Sequence, residues 1–225
     1  MNWVGMFPGQ GSQELGMGEE LLSTHKDLLV DTFKESLGWS IDEIINSNNP
    51  EEIKKTNIAQ PYIFAISYCY GLETIKKIGE PSALIGHSLG EYTALALSGY
   101  FNYSDALKVI AVRGEEMQKA VEGSNTGMAA VLTSDMEKTL EEINNLNSQD
   151  IEIWISNYND ASQIVVSGNT EDLEFIKLNP KSINSKRIIP LEVAGAFHSK
   201  VVSSAKDAVE KTLEEIEIKE GDIPV

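Results

Sequence analysis

A G-x-S-x-G motif at residues 86–90 constrains the fold of this chain more than any other sequence feature. The apolar run 82–85 before the motif predicts a short buried strand, and the pattern over 90–97 after it predicts a helix. A strand that turns sharply into a helix displays the central serine, while flanking glycines let the two elements pack closely. We therefore expect an α/β body with the hydroxyl of Ser88 exposed at the turn.

The segments before and after the motif predict further strands and helices of the α/β body. The strand expected over 3–7 runs into a glycine-rich turn, and Pro61 is predicted to open the helix over 60–78. Further helices are predicted over 14–37, 41–45, 105–121 and 202–216, a loop over 46–50, and the start of a strand at 223–225.

Residues 127–192 follow a different order, β-α-β-β-α-β, which is the ferredoxin-like arrangement. The strands of this part are predicted over 128–132, 151–156, 163–167 and 187–193, and its helices over 136–147 and 171–178. We interpret 127–192 as a small inserted subdomain, and 1–126 together with 193–225 as the α/β body.

Composition excludes several classes of function. Lys and Arg number 18 against 35 Asp and Glu, so the net charge of −17 disfavours binding to nucleic acid or to anionic membranes. The first residues lack a basic signal-peptide region, and no apolar stretch approaches the ~20 residues of a membrane span. Cys69 is the only cysteine and the three histidines are scattered, which argues against a disulfide or a metal site. We expect a soluble cytoplasmic protein.

A serine nucleophile needs a general base, and the chain offers three histidines. His87 adjoins Ser88 and should point away from it, while His25 is expected on a solvated helix face. His198 follows a predicted strand downstream of the serine, where α/β hydrolase-like sites carry their histidine. A lone loop histidine is more often structural than catalytic, and both interpretations stay open at this point.

An oxyanion hole and a third catalytic group complete such a site. The amide of Leu89 opens the helix after the serine, and the turn at 9–13 can supply a second donor. The acids available between the serine and the histidine are Asp160, Asp172 and Glu192, and none follows an obvious strand of the body. The acid is therefore either missing or replaced by a backbone carbonyl.

Four motifs occur in order along the chain, at residues 7–13, 86–91, 113–118 and 195–199. Together they resemble malonyl-CoA:acyl carrier protein transacylases and the related acyltransferase domains of polyketide synthases. The resemblance implies an α/β hydrolase-like parallel-sheet body with a ferredoxin-like insert. It also implies that members of the family continue beyond Val225, so we expect this chain to lack their C-terminal segment.

The resemblance implies a role for each matching residue. Ser88 would carry the malonyl group as an ester, and His198 would act first as base and then as acid. Arg113 would bind the malonyl carboxylate, because a planar guanidinium donates two parallel hydrogen bonds to it. The other matches are the backbone amides of Gln10 and Leu89 as oxyanion hole, and Gln60, Phe197 and His87 as substrate-binding residues. The ring of Phe197 would favour malonyl over methylmalonyl groups.

The expected reaction is the transfer of malonyl from malonyl-CoA to the phosphopantetheine thiol of an acyl carrier protein, for fatty acid or polyketide synthesis. No cofactor is expected, since coenzyme A arrives as part of the substrate, and a monomer is the default expectation. A hydrolase or thioesterase on the same fold, and an inactive fragment, remain alternatives. Basic residues that would dock the acidic carrier, or else are simply solvated, are Lys181, Lys186, Arg187 and Lys200.

Overall fold

The computed structural model of the protein describes residues 2–225. These residues divide into two compact units, and each has a hydrophobic core of its own. The first unit contains the chain up to Glu116 together with Lys206–Val225, and the second is Met117–Ala205. The boundaries fall within two helices, α6 (Tyr103–Val121) and α9 (Ser203–Glu214).

The first unit combines a small parallel sheet with helices. Its other elements are β1 (Val4–Phe7), α1 (Phe33–Leu37), α2 (Ile41–Ile45), α3 (Pro50–Lys54), α4 (Thr56–Ile78), β2 (Ala83–Gly86) and α5 (Leu89–Ser98). Strands β1 and β2 pair in parallel, with Val4 opposite Ala83 and Phe7 opposite Gly86. Helix α5 packs on both strands and on α4, which carries the largest share of buried side chains. The sheet thereby holds the turns after β1 and β2 side by side.

The second unit is built on a four-stranded antiparallel sheet. Its other elements are β3 (Thr126–Leu132), α7 (Met136–Asn147), β4 (Ile153–Asp160), β5 (Gln163–Asn169), α8 (Thr170–Leu178) and β6 (Arg187–Pro190). The spatial order is β4-β5-β3-β6, so the two most apolar strands, β3 and β5, lie in the centre. The sequence of elements is the predicted β-α-β-β-α-β order, and the fold as a whole is mixed α/β.

The uninterrupted helix predicted over 14–37 is wrong. This segment holds a 3-10 turn at Glu19–Leu21, a π-helix at Asp27–Thr32 and then α1. Gly16 and Gly18 have φ angles of 76° and 85°, in the left-handed region that ends a right-handed helix. The two glycines therefore indicate a break in the helix, which the apolar periodicity alone does not show.

Two predictions about the next helices also need correction. Pro50 opens α3, so the predicted loop over 46–50 ends in a helix whose N-cap, Asn49, accepts a hydrogen bond from the Glu51 amide at 3.1 Å. Helix α4 begins at Thr56, and Pro61 lies inside it rather than at its first position. The helix starts earlier because the amides of Ile58 and Ala59 already donate to the Lys55 carbonyl.

Strand ends shift by a few residues for local reasons. Strand β6 ends at Pro190, three residues before the predicted end, since proline lacks an amide donor for the ladder. The strand predicted at 223–225 is not a regular one, although the Leu84 amide of β2 donates to the Pro224 carbonyl at 2.8 Å. The Ile223 side chain is buried in a cluster with Leu84 and Ala94.

Candidate active site

Ser88 lies at the turn between β2 and α5 in a conformation that few residues other than glycine adopt. Its φ and ψ angles are 52° and −107°. The turn is fixed on both sides, because the His87 amide donates to the Phe7 carbonyl at 3.0 Å and the Gly90 amide donates to the His87 carbonyl at 2.9 Å. A non-glycine residue held in this region is typical of a nucleophile at a strand-to-helix turn.

The two motif glycines are required by the close approach of backbones. A Cβ atom on Gly90 would lie 2.2 Å from the carbonyl oxygen of Phe7, and one on Gly86 would lie 2.0 Å from the amide nitrogen of Glu91. Because both contacts are with backbone atoms, no rotamer change relieves them. The glycines therefore set how closely α5 packs on the sheet and where Ser88 sits.

The two amides predicted as an oxyanion hole follow paired strand ends. Phe7 and Gly86 are partners in the parallel ladder, and Gln10 and Leu89 each come three residues later. Leu89 is the first residue of α5, so its amide belongs to the group at a helix start that has no intrahelical acceptor. The Gln10 side chain donates to Oγ1 of buried Thr56 at 3.3 Å, which anchors the first turn to α4.

Arg113 connects the serine to a buried glutamine. Its Nη2 donates to Oγ of Ser88 at 2.9 Å and its Nη1 donates to Oε1 of Gln60 at 2.5 Å. Gln60 is fully buried on α4, and the Tyr92 ring of α5 lies 5.6 Å from the guanidinium carbon. Three helices thus position one cation directly beside the serine hydroxyl.

Desolvation of the Arg113 guanidinium favours a negatively charged neighbour. Desolvation lowers the pKa of Arg113 from its ordinary value, and the nearby Tyr92 and Glu91 oppose that shift. A guanidinium nevertheless remains protonated in proteins. A buried positive charge is costly without a partner, and a ligand carboxylate would supply both the charge and two acceptor oxygens.

His198 lies in the second unit, in the loop between β6 and α9. It is exposed and has a φ angle of 54°, so like Ser88 it is a residue other than glycine with a positive φ. The preceding residue, Phe197, is 5% exposed, and its ring packs with Met117, Val121 and Met128. The phenylalanine thereby anchors the loop that carries the histidine.

Other predicted residues have different surroundings. His25 is not solvated as expected: its side chain is 13% exposed and its Nε2 lies 3.0 Å from Oε1 of Glu73. His87 is exposed, with its ring beside Gly9. Asp160 accepts hydrogen bonds from Ser162 within a local turn, whereas Asp172 at the start of α8 accepts one from the Glu152 amide just before β4.

Two residues that contact the predicted site residues Arg113 and Gln10 were absent from the residues proposed on sequence grounds. Tyr92 follows Ser88 by four residues, and such spacing places it on the same helix face as the start of α5. Thr56 lies four residues before Gln60 on α4 and likewise shares its face. Helical spacing from the already recognised motifs was the signal that could have found both.

Comparisons with known proteins agree with this geometry. The acyl transferase domain family matches residues 4–224. The chain is 36% identical over 223 residues to the malonyl CoA-acyl carrier protein transacylase of Bacillus subtilis, covering 98% of this chain and 70% of that protein. It is 35% identical over 225 residues to a polyketide-biosynthesis malonyl CoA-acyl carrier protein transacylase of Bacillus velezensis, covering 98% and 75%.

Solved structures give the same relationship. A malonyl CoA-acyl carrier protein transacylase from Burkholderia pseudomallei superposes with a TM-score of 0.89 at 31% identity, over all of this chain and 76% of that one. A malonyl-transacylase solved in complex with a type II polyketide acyl-carrier protein also gives 0.89, at 30% identity, over all of this chain and 74% of that one. Within residues 2–225, none of the helices is long and apolar enough to cross a membrane. The chain belongs to the acyl transferase domain family, among the malonyl CoA-acyl carrier protein transacylases.

Proposed function

We propose that this chain transfers a malonyl group from malonyl-CoA to the phosphopantetheine thiol of an acyl carrier protein. The hydrogen bond from Arg113 to Ser88 carries the proposal, because it places a buried cation within one hydrogen bond of the proposed nucleophile. A short acyl group with a carboxylate at its far end satisfies both residues, whereas a neutral acyl chain offers the guanidinium no charged acceptor of its own.

The proposed reaction has two half-reactions that share one ester intermediate. Oγ of Ser88 attacks the thioester carbonyl while His198 accepts its proton, and the amides of Gln10 and Leu89 donate to the oxyanion. The tetrahedral intermediate collapses to a malonyl-serine ester, and the departing coenzyme A thiolate takes the proton from His198. The carrier thiol then attacks the ester by the same steps in reverse, which regenerates Ser88.

Gln60 and Phe197 are proposed to shape the malonyl pocket. Gln60 accepts from Nη1 of Arg113, which fixes the guanidinium so that Nη2 points to Ser88 and the proposed malonyl pocket. The Phe197 ring is packed in an apolar cluster and thereby sets the shape of its loop. We propose that this loop limits the size of the acyl group and favours malonyl over methylmalonyl. His87, exposed beside the serine, is proposed to contact the substrate as well.

The architecture is proposed to be an α/β hydrolase-like body with a ferredoxin-like subdomain inserted at 127–192. The parallel β1–β2 pair followed by the Ser88 turn supports the first part, and the four-stranded order β4-β5-β3-β6 supports the second. Free, buried Cys69 is compatible with a reducing compartment, and we place the reaction in the cytoplasm.

An acyl carrier protein is the proposed protein partner, and a basic surface of the second unit is proposed to bind it. Lys181, Lys186 and Arg187 are exposed, and a turn closed by the Ser185 amide and the Pro180 carbonyl at 2.9 Å holds them near one another. Lys200 contributes less, because its Nζ already pairs with Glu152 at 2.9 Å and lies 4.8 Å from the centre of the Trp154 ring.

Intact mass spectrometry after brief incubation with malonyl-CoA tests the proposal. The wild-type chain should gain one malonyl group, Arg113→Ala should gain it more slowly, and Ser88→Ala should gain none. Release of coenzyme A without an adduct on the protein would instead indicate a hydrolase. A folded wild-type chain that neither gains mass nor releases coenzyme A would contradict the proposed activity.

A further inference from the structure

A pair of serine hydroxyls contacts the backbone carbonyl immediately before His198. Oγ of Ser167 on β5 lies 2.7 Å from the Phe197 carbonyl oxygen, and Oγ of Ser156 on β4 lies 3.2 Å from it. We propose that Ser167, supported by Ser156, is a positioning residue that fixes the direction of the His198 side chain. The catalytic meaning of this role rests on the proposed function of His198, whereas the positioning itself does not.

The number of hydroxyl hydrogens determines which serine donates to which acceptor. The two serine oxygens are 2.5 Å apart, so one hydroxyl must donate to the other. Each hydroxyl has a single hydrogen, which means that only one of the pair can donate to the carbonyl. The shorter distance assigns that role to Ser167, with Ser156 donating to Ser167 in turn. The result is a chain from Ser156 to Ser167 to Phe197.

The strand geometry directs both serines to this point. Ser167 is fully buried in the central strand β5, next to Val165 and Val166, where a hydroxyl is costly unless it is hydrogen-bonded. The ladder between β4 and β5 shifts register between Ile155 and Asn157, which leaves Ser156 as the extra residue of a bulge. A bulge re-aims a side chain, and here it brings the Ser156 hydroxyl to the partner strand.

The backbone of His198 needs such restraint because its φ angle is 54°. Before it, the Ala196 amide donates to Oγ1 of Thr126 at 3.1 Å, and the Phe197 carbonyl is held by the serines. After it, Oγ of Ser199 donates to the Ala196 carbonyl at 2.6 Å. A left-handed conformation at a non-glycine residue persists when its neighbours are fixed on both sides. Loss of the Ser167 contact frees one of these sides.

Removal of the Ser167 hydroxyl should therefore allow the His198 ring to adopt several orientations while the second unit stays folded. The apolar packing of Phe197 remains in Ser167→Ala and keeps the loop near its native position. We expect the rate of Ser88 acylation at saturating malonyl-CoA to fall by about ten- to a hundredfold, since misplaced catalytic groups cost about that much. The KM for malonyl-CoA should change little, because both serines contact the backbone of the His198 loop and neither is among the proposed substrate-binding residues.

Proton NMR of the histidine rings is the test, and the chain has only three histidines. The His198 signal is assigned by its loss in His198→Asn, and its shift, width and pH titration are then compared in Ser167→Ala and Ser156→Ala. We expect the His198 signal to move or broaden strongly in the first variant and more weakly in the second, with the His25 and His87 signals unchanged. Ser182→Ala is the matched control, because its hydroxyl is also buried in this unit and lacks a hydrogen-bond partner among residues 2–225.

The outcomes separate the two proposals. An unchanged His198 signal and titration in both folded variants would overturn the positioning role, and so would equal changes in Ser182→Ala. If Ser167→Ala does not fold, Ser156→Ala decides the question, because Ser156 is only half-buried at a bulge. If wild-type protein fails to become acylated while the His198 signal responds as expected, the positioning role stands and the proposed function fails.

Discussion

Nη2 of Arg113 donates a hydrogen bond to Oγ of Ser88 at 2.9 Å. Under the proposed function, the carboxylate of the malonyl group would replace the serine hydroxyl as the acceptor of this hydrogen bond. Because the carboxylate is charged and can accept two hydrogen bonds, the exchange favours the acidic acyl group. In the proposed reaction, recognition of the substrate carboxylate and release of the serine hydroxyl would therefore occur together at Arg113.

Arg113→Ala should slow acylation by malonyl-CoA by about 10- to 100-fold, as expected for the loss of a charge-assisted contact. Acylation by neutral acetyl-CoA should not fall in parallel, since that substrate has no carboxylate for the arginine. The measurement is the rate of mass gain with each thioester. Arg187→Ala removes a guanidinium from an exposed position on β6 and should change neither rate; equal losses with both substrates in Arg113→Ala would argue against carboxylate recognition.

Gly90→Ala should destabilise the first unit by about 2 to 3 kcal/mol, because the new methyl group would meet the Phe7 carbonyl oxygen at 2.2 Å. Urea denaturation measures the change. Gly127→Ala is the comparison, since its Cβ would lie 3.5 Å from the Leu173 side chain, an ordinary contact. A Gly90→Ala protein as stable as Gly127→Ala would show that the turn can relax.

Ile223→Ala should cost about 2 to 4 kcal/mol of unfolding free energy, since its side chain is 8% exposed in the cluster with Leu84 and Ala94. Ile218→Ala, at a side chain that is 55% exposed, should cost much less. Both variants lie outside the proposed site. Similar losses of stability in the two variants would mean that the contact of residues 223–225 with β2 adds little.

Stability should fall as the pH rises above about 9, in part because of Cys69. Burial raises the pKa of its thiol from 9.0 to about 12 in the folded protein. Between these values the unfolded chain releases the proton while the folded protein retains it, so this contribution is present below pH 9.0 and is lost toward about pH 12. Urea midpoints at about pH 8 and about pH 10.5 should differ less in Cys69→Ala than in the wild type.

Four tyrosines contribute to the loss of stability at high pH, so the difference between the two urea midpoints should shrink rather than vanish in Cys69→Ala. Burial raises the pKa of Tyr68 and Tyr103. The pKa of Tyr62 is raised to about 12 by burial, and that of Tyr70 to about 12 by its hydrogen bond to Glu20. Tyr158→Phe, which removes an exposed phenol, is the control. If the urea midpoint of Cys69→Ala depended on pH as strongly as that of the wild type, the thiol would not contribute to the loss of stability.

Charge reversal of the basic surface should weaken binding of the acyl carrier protein and so slow malonyl transfer from Ser88 to the carrier thiol. Lys181→Glu combined with Lys186→Glu should raise the KM for the carrier protein several-fold, and added salt should reduce the difference because exposed charges are screened. Lys76→Glu with Lys77→Glu changes the net charge equally at exposed positions on α4. A KM that moves equally in both double variants would reflect net charge rather than docking.

The sequence predicted the elements of the second unit well because their signals are local. Helix α7 has the predicted bounds, and its N-cap Asp135 accepts a hydrogen bond from the Lys138 amide at 3.1 Å. The turn at Ser88 was likewise predictable, since two glycines and an apolar strand leave few alternatives. Segment 14–37 was mispredicted because apolar periodicity does not distinguish α-, 3-10 and π-helical hydrogen bonding.

Contacts between residues distant in sequence could not be read from the chain. The pairing of His25 with Glu73 joins residues 48 positions apart, and the contact of Ser167 with Phe197 joins residues 30 apart. No sequence motif predicts either contact. Lys200 appeared to be a free surface charge for the same reason, although tertiary structure places it against Trp154 and Glu152.

Ser88 and His198 have φ angles of 52° and 54°, and this has a consequence for protein engineering. Glycine adopts such angles without the cost of about 1 to 3 kcal/mol that other residues incur. A library screened only for resistance to heat should therefore enrich glycine at positions 88 and 198, and its most durable members would lack the proposed nucleophile and base. Selection for durability in this fold has to be coupled to a readout of acyl transfer.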